Sequence, residues 1–575
     1  MTTNYEKFKA ARDLLLDLRD DHDRACAEFR WPEFEQFNWA LDWFDKMAEG
    51  NTTDALRIVD GDSVTAVTYA ELSARSSQVA NWLRANGVRR GDHLLLMLDN
   101  RVEVWESVLA GIKLGAVVLP TYTTVTGADL ADRLARGGVK HIVTTDAHTA
   151  AFADAPTELT RFCVGAAQEG WLSYSDAYGQ PEDFTPDGPT GADDLLFMYF
   201  TSGTTSKPKI AQHTHASYPV GHLSGMYWNG LQPGDVHLNI SAPGWAKHAW
   251  SSFFVPFNAG ATLLTVNAPA GSTTHLLDAL VAHKATSFCA PPTVWRMLIQ
   301  QDLRQWPVGL REAGSVGEPL NPEVIDYVRE TWGVTVRDGF GQTETTAQIG
   351  NTRSLPLKPG SMGKPLPGYD IVLLNPSTGE RADEGEICID LTDRPVGVMP
   401  GYLGNPEKNA ATFANGYYHT GDIGTRDADG YITYVGRADD VFKSYDHRIS
   451  PFELESVLVE HESVVEAAVV PTPDPVGLVV PKAFVTLVAG VEPDAVAARS
   501  ILTHVRENLA PHNWIRRLEF GPLPKTTSGK IRRVELRTAE QQRTGRPDSP
   551  RNDNEYLFED VFETVESAPA APGMS

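Results

Sequence analysis

From Val67 onward short apolar runs alternate with amphipathic stretches, and that rhythm restricts the chain more than any other feature. Residues 71–86 carry a helical period and are closed by Gly87, the residue type suited to a helix C-terminus. An apolar strand is expected at 93–98, a helix at 102–114 and a strand at 116–119, and the unit recurs at 128–136 and 141–144. Strands alternating with helices of this length argue for a parallel sheet with helices on its faces. The same rhythm returns at 276–336. After Gly436 the texture changes to a helix at 451–461, strands at 464–470 and 482–487, and a helix at 495–509. The expected fold is therefore α/β, with a large N-terminal domain of helix-flanked mixed or parallel sheets over 1–438 and a compact α+β domain over 439–545. Residues 546–575, polar and ending in Ala568-Pro-Ala-Ala-Pro-Gly-Met-Ser575, are expected to be a disordered tail.

At 575 residues the chain is long enough for several cores, and 42% hydrophobic with 22% charged residues is an ordinary globular composition. Fifty basic against 75 acidic residues give a formal charge of −25, which disfavours nucleic acid and anionic membrane as partners. It leaves room for ATP, because a basic pocket can sit inside an acidic shell. Cys26, Cys163, Cys289 and Cys388 lack metal-ligand or disulfide-framework spacing and are expected to be reduced thiols. The first residues lack the apolar core of a signal peptide, and no run approaches the roughly 18 apolar residues of a membrane span. The expected location is cytoplasmic.

The apolar run Leu195-Leu196-Phe197-Met198-Tyr199-Phe200 breaks into Thr201-Ser-Gly-Thr-Thr-Ser206, then Lys207 and Lys209. Glycine lets a backbone bend close to a bulky anion, hydroxyls and free N–H groups donate to phosphate oxygens, and lysine offsets the charge. The lysines follow the hydroxyls, so this is not the GxxxxGK[ST] loop of ordinary nucleotide hydrolases. A shorter Ser/Thr turn would be an ordinary loop; with the strand before it and both lysines after it, the segment reads as a phosphate loop.

Three more segments follow: Asp338-Gly-Phe-Gly-Gln-Thr-Glu-Thr345; Tyr418-His-Thr-Gly-Asp422 with Gly436-Arg-Ala-Asp-Asp440; and Pro524-Lys-Thr-Thr-Ser-Gly-Lys530. In this order the set resembles adenylate-forming enzymes, and among them acyl-CoA synthetases of the acetate, medium-chain and benzoate type, over residues 37–534. The resemblance implies activation of an acid with ATP and Mg²⁺ to acyl-AMP, followed by transfer to CoA, and a C-terminal domain that rotates about Asp439 between the two steps. It assigns Thr201, Ser202, Gly203, Thr204, Thr205 and Lys209 to the β- and γ-phosphates, Thr343 to the α-phosphate and Glu344 to Mg²⁺. Gly317, Glu318, Pro319, Asp338, Gly339, Phe340 and Gln342 fall to the nucleotide pocket, with Asp422 on the ribose hydroxyls and Arg437 on ribose and phosphate. Lys530 is implied to contact the substrate carboxylate and α-phosphate during adenylation. Alone, Glu344 would read as a solvated surface residue and Asp422 as a turn-former. The surrounding motifs favour the functional readings.

Acetate-type relatives carry tryptophan where this chain has Gly341, which implies room for an acid larger than acetate. Trp245 resembles the aromatic wall of medium-chain enzymes, whereas 477–483 is closer to benzoate-type enzymes, so branched or medium-chain and aromatic acids both stay open. His213, His215 and His248 lack an acidic partner at triad-like spacing and read as structural or pocket-lining, with His248 placed in the acid pocket. The acceptor loop, Lys443-Ser-Tyr-Asp-His-Arg448, carries Asp446 where relatives that make CoA thioesters usually have glycine. A CoA ligase is the leading reading. The second keeps the adenylation and passes the acyl group to an amine, a carrier-protein thiol or a small inorganic nucleophile. A nucleotide-binding protein without turnover is disfavoured by the retention of Lys530, Glu344 and Asp422. The oligomeric state is not readable from the sequence.

Overall fold

A computed structural model describes residues 2–201, 208–267, 272–317, 320–444, 447–474, 478–525, 531–544 and 551–562. The alternating pattern builds two large sheets. In the first, His93–Met97 lies between Val117–Pro120 and His141–Thr145, all parallel, and Leu195–Thr201 extends the sheet beside Val117–Pro120. In the second, Thr262–Asn267, Val236–Asn239, Ser287–Ala290, Glu312–Val316 and Val336–Gln342 run parallel in that spatial order. Beyond Val336–Gln342 the same sheet continues through antiparallel strands, Thr346–Gly350 and Ser361–Pro365, then Ile432–Arg437 and Tyr417–Arg426. The expected mixed α/β architecture is what forms.

The helix Val102–Leu114, expected at those residues, is buried almost all round rather than along one stripe. Most of its side chains are apolar, and the charged ones it buries are paired: Lys113 lies 2.9 Å from Asp45, and Glu106 accepts from Tyr178 at 2.9 Å. Trp105 on this helix donates its indole N–H to the Ser252 carbonyl at 2.8 Å, and Asn38 donates to the Ile112 carbonyl at 2.7 Å. Around it Trp39, Phe197, Tyr218, Phe254 and Phe257 form the main core. Fully burying such rings contributes on the order of 2–3 kcal/mol each.

After Ile432–Arg437 the chain enters the smaller unit, whose core includes Leu454, Leu458, Val469, Val485, Ile501 and Leu518. Its strands Val464–Asp474 and Leu478–Leu487 are longer than the apolar runs that announced them, because their polar ends still pair across the hairpin. One expectation is corrected here. Residues from 546 were read as a disordered tail, yet Glu555–Leu557 adds a strand to this sheet, antiparallel to Arg517–Phe520, and Phe558–Val561 follows as a helical turn. The physical reason is a buried cation: the ammonium of Lys482 lies 2.7 Å from Glu519, 2.9 Å from Glu540 and 3.0 Å from Glu555. A buried ammonium is tolerated only when it is paired, so the last strand completes the domain. Among the described residues no helix is long and apolar enough to cross a membrane, and the four cysteines are unpaired.

Candidate active site

Leu195–Thr201 pairs antiparallel with Lys209–Thr214, and Thr201 stands opposite Lys209. The two ends of the expected phosphate loop are thus neighbours. Ser202, Gly203, Thr204 and Thr205 between them lie outside the described residues. Lys209 is half-buried; burial lowers its pKa, Lys408 adds to the effect, and Glu344 opposes it. Its ammonium sits 5.0 Å from the ring centre of Tyr402, whose hydroxyl donates to Glu344 Oε1 at 2.8 Å. The other Glu344 oxygen has no hydrogen-bond partner among the described residues.

Glu344 comes from the turn that reverses Val336–Gln342 into Thr346–Gly350. Thr346 holds φ of 61°, a left-handed conformation costly for a β-branched residue. The tertiary structure enforces it: Tyr369 donates to the Thr345 carbonyl at 2.5 Å, and the Thr346 hydroxyl donates to the Gly221 carbonyl at 3.1 Å. The Thr343 carbonyl accepts the Nε2–H of His213 at 2.6 Å, while Nδ1 of that ring meets the Ser217 hydroxyl at 3.1 Å. Burial pushes the His213 pKa down to about 4, so the ring is neutral and acts as a strut.

Upstream in the same strand, Asp338 is buried and accepts the Gly339 N–H at 2.8 Å. A Cβ at Gly339 would fall 2.5 Å from the Trp228 ring, so only glycine fits. The half-buried ring of Phe340 lies 6.5 Å from that of Tyr434. Val316 pairs with Gly339, which brings Gly317, at φ of 108°, beside the same strand ends. Glu318 and Pro319 lie outside the described residues.

Tyr417–Arg426 and Ile432–Arg437 pair so that Asp422 stands opposite Arg437. The guanidinium Nη1 is 3.3 Å from Asp422 Oδ1, and its Nε is 3.4 Å from Asp439. Tyr434 donates to Asp422 Oδ1 at 3.2 Å, and Gln342 Nε2 donates to Oδ2 at 2.6 Å. Tyr418 donates to Gln342 Oε1 at 2.8 Å. Burial raises the Asp422 pKa, with Arg437 the leading opposing influence. Burial also works against the charge on Arg437, but Asp422 and Asp439 outweigh it and hold that pKa above its ordinary value. Two motifs separated by 80 residues therefore share one hydrogen-bonded cluster.

Past the cluster, the Asp439 carbonyl accepts from Arg537 at 2.7 Å. Lys443, exposed, pairs with Arg448 in the hairpin of Phe442–Ser444 and His447–Ile449. Asp446, the Arg448 side chain and Lys530 lie outside the described residues. On the other side of the site Trp245 stacks on Tyr122, centroids 4.4 Å apart at 6°, and with His248 it walls a narrow apolar slot. Gly341 is not in that wall. A Cβ there would lie 2.2 Å from the Thr346 carbonyl oxygen, at a register shift between Phe340 and Gly341. Its missing side chain therefore relieves a backbone contact at this point of the strand. Tyr402 and Tyr434 join the site from outside the motifs, and Tyr418 joins it from the head of its own; the aromatic-after-glycine pair Gly401-Tyr402 is the local signal for the first of them.

The family description "AMP-binding enzyme" matches residues 44–403, and "AMP-binding enzyme C-terminal domain" matches 453–530. The chain is 40% identical over 540 residues to 4-hydroxybutyrate–CoA ligase 1 of Metallosphaera sedula, covering 92% of this chain and 94% of that protein. It is 37% identical over 531 residues to the mitochondrial acyl-coenzyme A synthetase ACSM3 of Mus musculus, covering 88% and 91%. Among solved structures, the anthranilate CoA ligase AuaEII in complex with anthranoyl-AMP superposes with a TM-score of 0.81 at 28% identity, covering 89% of this chain and 98% of that one.

Proposed function

Because the chain belongs to the AMP-binding enzyme family, we propose roles for the clustered residues within an AMP-forming acid–CoA ligase. The enzyme activates an organic acid larger than acetate with ATP and hands the acyl group to CoA. In the first step a carboxylate oxygen of the acid attacks the α-phosphorus, the bond to the bridging oxygen breaks, and pyrophosphate leaves. In the second the CoA sulfur, having lost its proton, attacks the acyl carbon and AMP departs with the bonding electron pair.

The observation that carries the assignment is the shared cluster of Gln342, Tyr418, Asp422 and Arg437 beside the paired ends Thr201 and Lys209. Asp422 has both oxygens oriented by Gln342, Tyr434 and Arg437, and of about four lone-pair sites one on Oδ2 stays open to accept a ribose hydroxyl. Phe340 and Tyr434 offer ring faces for adenine. Thr201 with Ser202, Gly203, Thr204, Thr205 and Lys209 would hold the outer phosphates, Thr343 the α-phosphate and Arg437 the ribose side. Two anions must meet in this reaction, so fixed positive charge and positioning supply most of the rate gain. Lys530, a point charge on a flexible stem, would add its ammonium at the reacting carboxylate.

Mg²⁺ fits Glu344, one oxygen of which Tyr402 fixes while the other has no hydrogen-bond partner among the described residues. The ion would neutralise phosphate charge there. Asp439, held between Arg437 and Arg537, is the proposed hinge about which the small domain turns between the steps. The acceptor loop from Lys443 to Arg448, with Asp446, would then face the nucleotide. The unpaired thiols agree with a reducing compartment, which we take to be the cytoplasm.

The test is incubation with ATP, Mg²⁺ and a panel of acids, with and without CoA, and products read by mass spectrometry. Acyl-AMP without CoA and acyl-CoA with it are expected. Absence of both for every acid would overturn the reading.

A further inference from the structure

The slot beside Trp245 has a volume of about 30 Å³ and apolar walls that include Leu96, Val108, Phe197 and Phe253. His248 is the exception in this wall. It is 5% exposed, leans against Trp105 at 5.4 Å between ring centres, and its Nε2 has no hydrogen-bond partner among the described residues. Leaving a buried polar atom bare is unfavourable, and that penalty vanishes when a ligand supplies the bond. Nothing in the folding of the turn Ala246–Ala249 calls for imidazole at this position, where an apolar side chain would match the wall.

We propose that His248 reads a hydroxyl on the acid, so that the substrate is a short aliphatic hydroxy acid rather than a plain alkanoate or an arene. The inference deepens, and rests on, the acid–CoA ligase reading.

Three properties of the slot select this class. Its volume holds one or two water-sized groups, far below the roughly 150 Å³ of an apolar cavity that accepts benzene. Burial pushes the His248 pKa down to about 3, so the ring is neutral and offers one N–H and one lone pair. A hydroxyl, donor and acceptor at once, matches a neutral imidazole, whereas a second carboxylate would need a cation. The neighbouring Lys247 is not in the slot wall; its ammonium is turned to the Ile240 carbonyl at 3.3 Å.

The experiment compares kcat/KM for acyl-CoA formation with the hydroxybutanoate isomers and with butanoate, in wild type, His248→Leu and His248→Gln. Wild type is expected to prefer at least one hydroxybutanoate over butanoate by about 10-fold or more, the worth of one buried hydrogen bond. His248→Leu should lower that ratio by about 10-fold, and His248→Gln, which keeps a donor and an acceptor, should retain most of it. Equal use of butanoate and all its hydroxy isomers by wild type overturns the proposal, as does an unchanged ratio in His248→Leu. A wild-type protein that makes no acyl-AMP from any acid overturns the ligase reading instead, and butanoate turnover separates the two failures.

Discussion

Both carboxylate oxygens of Asp422 are already bonded, to Gln342 on one side and to Tyr434 and Arg437 on the other, whereas His248 Nε2 in the proposed acid slot has no hydrogen-bond partner among the described residues. The two regions meet different demands. The nucleotide is the same for every acid, so its site can be finished by the fold, with donors and charges set before the ligand arrives. The acid is what distinguishes one such enzyme from another, and its slot leaves a buried valence for the ligand to fill. Changes on the nucleotide side should therefore lower turnover alike for all acids, and changes in the slot should reorder the acids.

Lys530→Ala gives the largest expected effect. Losing one stabilising charge at the reacting phosphate should slow adenylation by at least ~100-fold. The loss should be the same for every acid that wild type accepts, read as pyrophosphate release. A loss that varies strongly between acids would break the contrast, and an unchanged rate would remove Lys530 from the chemistry.

Gln342→Leu sharpens it on a smaller scale. The amide joins Tyr418 to Asp422 and the Thr420 carbonyl, so its removal leaves the Tyr418 hydroxyl and one Asp422 oxygen without their donor or acceptor. The KM for ATP should rise about 10-fold, with acid preference untouched. A reordered acid panel would mean that the cluster shapes the slot as well.

Much of this architecture could be read before the fold was known. The helix expected at 102–114 forms as Val102–Leu114, since an apolar stretch of that length bounded by Gly115 has few alternatives. The site was legible only through its motifs: nothing in local pattern announces that Gln342 reaches Asp422 across 80 residues. The close backbone approach at Gly341 depends on a register shift, which no residue count reveals. The C-terminal strand is hard to read because Glu555–Leu557 is only three residues long within a polar stretch; what fixes it is the pairing of Glu555 with Lys482, 73 residues away. His248 was visible as a residue, but its bare nitrogen is a property of the packed slot.

Asp338 is the place where the nucleotide side departs from its own rule, and it supplies the smallest and most specific test. Burial raises its carboxyl pKa to about 8, although the Gly339 and Leu320 amides pull the other way, so near neutrality the group is held mostly as the acid. An acid whose pKa rises on folding contributes stability that is complete below its unfolded pKa of about 4 and is lost as pH climbs through the folded value. Asparagine has a similar shape and cannot ionise. The Tm of Asp338→Asn relative to wild type should therefore improve by a few degrees between about pH 4 and about pH 8 and level off above that. Below about pH 4 the gap should be small and constant, because the side chain at 338 is then neutral in the folded and unfolded states of both proteins. A gap that stays flat across the whole range would show that the carboxylate is ionised in the folded protein at neutral pH. The Gly339 and Leu320 amides would then outweigh burial, and this corner would join Asp422 as a fully satisfied part of the nucleotide cradle.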